Sequence, residues 1–209
     1  MEETGGAKQE EIREMMRIVA SLVYVIGASI LMDGIRRLSI AHAQDRAGPS
    51  ILQGFYDVAK LFGKEDLVPN VTSPTLFTLA PVVCVSAAVT CALLVPIGSS
   101  QALGLMGDLV LFIYFLTLIP IGIIIGGSSS GSPYAAVGIS REIAQTVAYE
   151  LPFIVAMIAV AIRAGSFDLS QIAQSSSFLA TPFAAIALLL TIPAATGVQP
   201  FEVPEAEQE

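Results

Sequence analysis

Residues 108–126 read DLVLFIYFLTLIPIGIIIG: one acid, then eighteen residues with no charge among them. An α-helix rises ~1.5 Å per residue, so ~20 such residues cross ~30 Å of hydrocarbon. Inside lipid no water is available to pair a bare N–H or C=O, and the helix is the form that pairs them within one segment. Four further runs of similar character lie at about 18–38, 75–96, 143–162 and 178–196. The pattern predicts an all-α fold: one polytopic membrane bundle over residues 1–209 with about five transmembrane helices. Pro81, Pro120, Pro152, Pro182 and Pro193 interrupt these runs. Spanning helices tolerate proline where neighbours re-satisfy the freed carbonyls. Small residues such as Gly27, Ser86, Ala87, Ala184 and Ala185 suit close helix contact.

The composition agrees. The 209 residues are 54% hydrophobic and 13% charged, and the mean hydropathy is +0.74. A soluble domain carries roughly 25% charge. Eighteen acids against ten bases leave a net charge of −8. That balance opposes phosphate contact and excludes nucleic acid as a partner. Cys84 and Cys91 lie seven apart in one apolar run. On a helix that is ~10 Å of rise, too far for a disulfide, so both read as buried small hydrophobes. The first 17 residues, MEETGGAKQEEIREMMR, are too long and too mixed in charge for a signal peptide, so the first run reads as a retained span.

Basic residues suggest an orientation. Arg36, Arg37, Arg46, Lys60, Lys64 and Arg141 fall in the loops after the odd spans; Lys8, Arg13, Arg17 and Arg163 fall on the other side. The bias puts the N-terminus outside and the loops after spans one, three and five in the cytoplasm of a cell-membrane protein. Within the first loop, residues 53–63 place Phe55, Val58, Ala59 and Phe62 on one helical face. Such a helix is too short to span and is expected to lie laterally along the interface or the bundle.

Four polar segments exceed what an anchor needs. Residues 41–69 gather Arg46, Asp57, Lys60, Lys64, Glu65 and Asp66 around a Gly48-Pro49 turn. Residues 126–150 begin with a Gly/Ser stretch expected to form a tight loop, pass through Arg141 and Glu142, and enter the fourth run. Glu150 lies about seven residues inside that run. A carboxylate at that depth faces a cavity or a partner. Glu142 lies two turns earlier and ~80° around the helix, so both can border one cavity. The functional reading is an ion or proton relay; the plain one is a charge capped by Gln145 or Tyr149 near the interface. The end of the chain, QPFEVPEAEQE, carries Glu202, Glu205, Glu207 and Glu209 between stiffening prolines. Gly127–Gly131 matches G-x-S-x-G, but a nucleophile elbow needs a preceding strand and a histidine partner. The sole histidine, His42, reads as a loop residue, and the Asn70-Val71-Thr72 sequon falls on the inside.

Three motifs together resemble a known family. The first is Arg46-Ala47-Gly48-Pro49 with Leu52-Gln53, Asp57, Lys60-Leu61, Lys64-Glu65 and Pro69. The second is Ser130-Gly131-Ser132-Pro133-Tyr134-Ala135-Ala136-Val137-Gly138 with Arg141-Glu142, Gln145 and Tyr149-Glu150-Leu151-Pro152. The third is Pro200-Phe201-Glu202-Val203-Pro204-Glu205-Ala206-Glu207. In order and placement they resemble the H subunit of respiratory complex I (NADH dehydrogenase subunit 1) and its counterparts in energy-converting [NiFe] hydrogenases. Only Ser50 and Ile51 separate Pro49 from Leu52, and Ser-Gly-Ser-Pro-Tyr replaces the respiratory Ser-Asn-Ser-Lys-Tyr. Both features look like the hydrogenase-type, ferredoxin-oxidising branch. Members carry about eight membrane-length spans. The resemblance therefore implies either a fragment or a separate chain bearing the last three.

The resemblance implies a non-catalytic coupling subunit of an oxidoreductase complex that acts as a translocase of H⁺ or Na⁺. Glu142, Glu150, Glu202, Glu205, Glu207 and Glu209 match an acidic funnel for the ion or proton. Arg46, Asp57, Lys60, Lys64, Glu65 and Arg141 match the docking loop for the redox module. No cofactor or metal is implied in this chain. Iron–sulfur clusters, and a nickel–iron centre in the hydrogenase case, would sit in cytoplasmic hydrogenase-like large and small subunits. Antiporter-like membrane subunits and the lipid bilayer complete the implied partners. The alternative readings are the same role in a quinone-reducing complex and, more remotely, a stand-alone secondary transporter.

Overall fold

The computed structural model describes residues 3–65, 67–68, 73–97, 101–175, 181–198 and 201. Among these, seven helices follow one another: α1 (Glu3–Ala43), α2 (Gln53–Leu61), α3 (Pro74–Leu94), α4 (Asp108–Ser129), α5 (Pro133–Ala164), α6 (Leu169–Ser175) and α7 (Pro182–Ala195). The all-α membrane bundle expected from the sequence is the fold observed. The chain divides into two compact units, Met1–Leu67 and Val68–Glu209.

Four helices have the length and apolarity to cross a membrane: Met15–Ala43 within α1, then α3, α4 and α5. Their surfaces carry large exposed aliphatic and aromatic side chains, among them Val23, Met32, Leu79, Tyr114, Leu151 and Ile162. In water that surface would aggregate; against acyl chains it is the complementary one. The fifth expected run differs. Its helix, α7, has 14 residues and rises only ~21 Å, short of the ~30 Å a span needs. Pro182 stands at its first position, where a missing N–H costs nothing. Residues 176–180, which the expected span included in part, lie outside the described residues.

Two other boundaries move. Helix α1 begins at Glu3, so the polar leader continues the first span instead of preceding it. The expected Gly/Ser loop at 126–130 is mostly the end of α4. The hydroxyls of Ser128, Ser129 and Ser130 donate to the carbonyls of Ile125, Gly126 and Gly127 at 2.7–3.0 Å. A serine run can thus satisfy the carbonyls that a helix end leaves bare. The G-x-S-x-G match is accordingly a helix terminus, with no strand before it.

In the first unit, α2 is the lateral helix expected within 53–63, and it packs on α1. The connection between them passes close to α1 at Gly34, where any Cβ would meet the carbonyl of Ile51. Arg37 joins the two helices, donating to Asp33 at 2.8 Å and to Asp57 at 3.3 Å. Gln53 also donates to Asp57, at 3.1 Å, and Arg36 to Asp33, at 2.7 Å.

In the second unit, α3 and α4 form the tightest pair. Ala80, Cys84, Ala87 and Cys91 recur at helical spacing on α3, and Gly122 and Gly126 on α4 let the backbones approach. Cys84 and Cys91 are free thiols. They donate to Ile119 O at 3.4 Å and Phe112 O at 3.8 Å, as small, weakly polar core residues.

The apolar core of this unit gathers Leu94, Leu109, Ala161, Leu169 and Ile172 at one end of the bundle. Beside it lies a polar clamp. Asp108, 1% exposed, accepts the Leu169 N–H at 2.8 Å and the Gln101 amide. Asp168 returns the exchange by accepting the Gly107 N–H at 2.9 Å. Each aspartate thus caps the helix start contributed by the other segment. Asp108→Ala leaves the Leu169 N–H buried without its acceptor. We expect it to cost about 1–3 kcal/mol, read as a lower unfolding midpoint by circular dichroism in mixed micelles.

Candidate functional site

The carboxylate that entered the fourth run alone on the sequence has a partner in the fold. Glu150 lies in the middle of α5, 17 residues past Pro133. The Thr117 hydroxyl on α4 stands 2.6 Å from Glu150 Oε1 and donates to it. The same hydroxyl is 3.0 Å from Ile113 O, so one proton is shared between two acceptors. The partner is therefore neither Gln145 nor Tyr149. Gln145 instead ties α5 to α7, donating from Nε2 to Ala194 O at 2.7 Å.

Glu150 borders a narrow cleft of ≈ 80 Å³ between α4 and α5, closed at one side by Ala195 of α7. Thr117, Pro120, Thr146, Tyr149 and Phe153 line it too. Thr146 is 8% exposed. Its hydroxyl lies beside that of Tyr149. Pro120 adds a polar gap. Lacking an N–H, it cannot bond to the carbonyl of Leu116 one turn earlier, and Leu116 also lines the cleft.

A wider cleft of ≈ 730 Å³ opens between α5 and α7. Arg141, Gln145, Tyr149, Leu190, Thr191 and Phe201 are among its lining residues. Tyr149 borders both clefts and lies in the electrostatic field of Glu142 and of Glu150. Glu142 sits two turns, ~12 Å of rise, before Glu150 and does not line the narrow cleft. Glu202, Glu205, Glu207 and Glu209, the rest of the expected funnel, lie outside the described residues.

The expected docking residues divide between the two units. Arg46, Asp57, Lys60, Lys64 and Glu65 belong to the first; Arg141 belongs to the second. Asp57 is held by Arg37 and Gln53. Arg46 donates to the side chain of Gln44 and borders a hollow of ≈ 340 Å³ with Arg37, Ala47 and Pro49. Lys60, Lys64 and Glu65 are exposed along α2 and just beyond it. His42 closes α1, its Nδ1–H donating to Leu38 O at 2.9 Å. No group of three His, Cys, Asp or Glu side chains that could hold a metal occurs among the described residues.

Sequence reading passed over Thr117, Thr146 and Asp33, and used Arg37 only for orientation. Threonine inside an apolar run is common and carries no signal of its own; its meaning here comes from the helix opposite. Asp33 did carry one, as an acid three and four residues before paired arginines, a spacing that brings all three onto one helix face.

Residues 16–209 match the NADH dehydrogenase family. NADH-quinone oxidoreductase subunit 8 of Rhodothermus marinus is 34% identical over 200 residues, covering 88% of this chain and 59% of that protein. Hydrogenase-4 component C of Escherichia coli is 33% identical over 199 residues, covering 91% and 62%. Among solved structures, a chain of an archaeal respiratory membrane complex, the membrane-bound sulfane sulfur reductase, superposes with a TM-score of 0.84 at 28% identity. That match covers 94% of this chain and 66% of the other. The chain spans about three fifths of the length of the curated relatives it matches.

Proposed function

This chain belongs to the NADH dehydrogenase subunit 1/H family of membrane proteins in complex I-like oxidoreductase complexes, and we propose that it couples a ferredoxin-linked redox module to ion translocation. The observation that carries this reading is Glu150, a carboxylate held by Thr117 within a membrane-length helix pair and opening on a narrow cleft. A charge is expensive at that depth. It is worth keeping where its protonation can follow a charge change nearby.

In this account the chain performs no electron chemistry. Redox turnover in partner subunits carrying iron–sulfur clusters, and a nickel–iron centre in the hydrogenase case, alters the charge at the cytoplasmic face. Glu142, Glu150 and the acidic tail of Glu202, Glu205, Glu207 and Glu209 take up and pass on the ion, H⁺ or Na⁺. Arg46, Asp57, Lys60, Lys64, Glu65 and Arg141 receive the hydrogenase-like large and small subunits. Antiporter-like membrane subunits complete the complex. The basic loops face the cytoplasm and the N-terminus lies outside.

The ferredoxin branch is favoured by the short Pro49–Leu52 connection. Its Ile51 carbonyl is seated against Gly34, where α1 offers no side chain. The quinone-reducing reading keeps one observation of its own, the near-equal identity to NADH-quinone oxidoreductase subunits. Purifying the complex on a tag carried by this chain separates the two. We expect hydrogenase-like large and small subunits to co-purify and reduced ferredoxin to be oxidised in the presence of a quinone-site inhibitor. A complex that the inhibitor blocks would overturn the ferredoxin assignment.

A further inference from the structure

We propose that the hollow between Arg37 and Arg46, where α1 ends and the connection to α2 begins, binds the phosphate of an anionic phospholipid. The site belongs wholly to the first unit. Its binding does not depend on which redox module the chain serves.

The backbone sets the shape of the hollow. Helix α1 closes with the Asp45 N–H donating to His42 O at 3.1 Å and the Arg46 N–H to Ala41 O at 2.9 Å. Such a closure needs one left-handed residue, and Asp45, at φ 52°, supplies it. The chain then turns back along α1. Gly48 lets it lie close, since a Cβ there would stand 2.8 Å from Leu38 Cδ1 and 3.0 Å from Ala41 Cβ. Between chain and helix remains a space of ≈ 340 Å³, lined by Arg37, Ile40, Ala41, Arg46, Ala47 and Pro49.

Two guanidinium groups and an apolar wall make up this lining, with no carboxylate in it. Arg37 gives one nitrogen to Asp33 and one to Asp57, which border a separate hollow; a guanidinium has a third nitrogen and five N–H groups in all. Arg46 donates to the neutral amide of Gln44 and meets no carboxylate among the described residues, so its charge is left for an anion. Bare carbonyls at a helix C-terminus would repel one, but the closing turn covers those of Ala41 and His42. Depth selects a lipid. Residues 18–32 of α1 are uncharged, and Arg37 follows ~8 Å of rise later, where hydrocarbon gives way to headgroups. There the planar arginine forks match phosphate oxygens. Ile40, Ala47 and Pro49 offer apolar surface to the glycerol and the first methylenes. A lipid without an ammonium group keeps its net negative charge for Arg46, which is why the anionic class fits.

Equilibrium binding of radiolabelled phosphatidylglycerol to the full chain in neutral maltoside micelles tests this. We expect saturable binding about tenfold tighter than that of phosphatidylcholine with the same acyl chains, the scale of one charge-assisted hydrogen bond. Arg46→Gln should abolish that preference. Arg46→Lys keeps the charge without the fork and should retain part of it. Arg163→Gln removes an equal charge at the end of α5 and should change nothing. A phosphatidylglycerol carrying a photoactivatable headgroup should label residues 38–49 of the wild type, a reading that holds even if Arg46→Gln loses its helicity. Equal affinity for the two lipids would overturn the proposal, as would an equal loss in Arg163→Gln or labelling confined to other segments. Displacement of the lipid by millimolar inorganic phosphate would also overturn it, in favour of a site for soluble anions. Binding needs no turnover, so a failure of ion translocation leaves this result standing on its own.

Discussion

Gly122→Ala will lower the unfolding midpoint of this protein markedly, and Cys84→Ala in the same chain will restore most of the loss. A methyl group at position 122 would overlap Cys84 Sγ and stand 3.3 Å from Ala80 O and 3.4 Å from Cys84 N. The thiol must turn away about its one rotatable bond inside a close helix pair, and the backbone atoms at 3.3 and 3.4 Å leave it little slack. Overpacking of a close interface costs about 1–3 kcal/mol. In lipid that contact is itself the driving force, because acyl chains are as apolar as the side chains they replace. Removing the sulfur while keeping its Cβ opens the needed space, so the two substitutions should couple strongly. Circular dichroism through a denaturing-detergent titration measures both single variants and the pair. Simple additivity of the two losses would show that the interface lies elsewhere.

Glu150→Gln will leave the complex assembled and reduce ion translocation at least about a hundredfold, the lower end of what a positioned proton-transfer group contributes. Glutamine keeps the size of the side chain and an oxygen that can accept from Thr117 at the same place. The α4–α5 contact should therefore survive, and native electrophoresis should show the complex at its usual mobility. What glutamine cannot do is release and rebind a proton, or offer a charge to a cation. Glu150→Asp retains the charge but withdraws it by one methylene from Thr117, and its rate should fall between the two. Wild-type translocation in an assembled Glu150→Gln complex would remove Glu150 from the pathway.

The membrane bundle was legible in the sequence because lipid leaves the backbone so few choices. Uncharged runs of ~20 residues become helices there whatever their propensity, and Asp108–Ser129 is the plainest case. The lateral helix was legible from the spacing of Phe55, Val58 and Ala59, a local property. Features that depend on a second segment were hidden. Asp108 looked like the boundary of a run, yet it caps α6, a helix too short to leave a periodic signal. The Ser128–Ser130 stretch looked like a loop because serine favours turns; here its hydroxyls close the end of α4. Glu150 announced itself through the cost of its charge. Thr117 and Thr146 did not, since a hydroxyl in an apolar run has a meaning only once the facing helix is known. The fifth run had apolar residues enough for a span, but composition does not say where a helix starts, and Pro182 sets that point.

Electron flow through the complex is proposed to move ions by way of Glu150. The measurement closest to it is the number of ions taken up per electron in sealed vesicles, with ion flux and redox flux recorded together. Reduced ferredoxin supplies the electrons, and wild-type and Glu150→Gln complexes are compared side by side. We expect a fixed ratio in the wild type and a ratio near zero in the variant, with assembly equal in both. Equal ratios in the two complexes would take Glu150 out of the ion path.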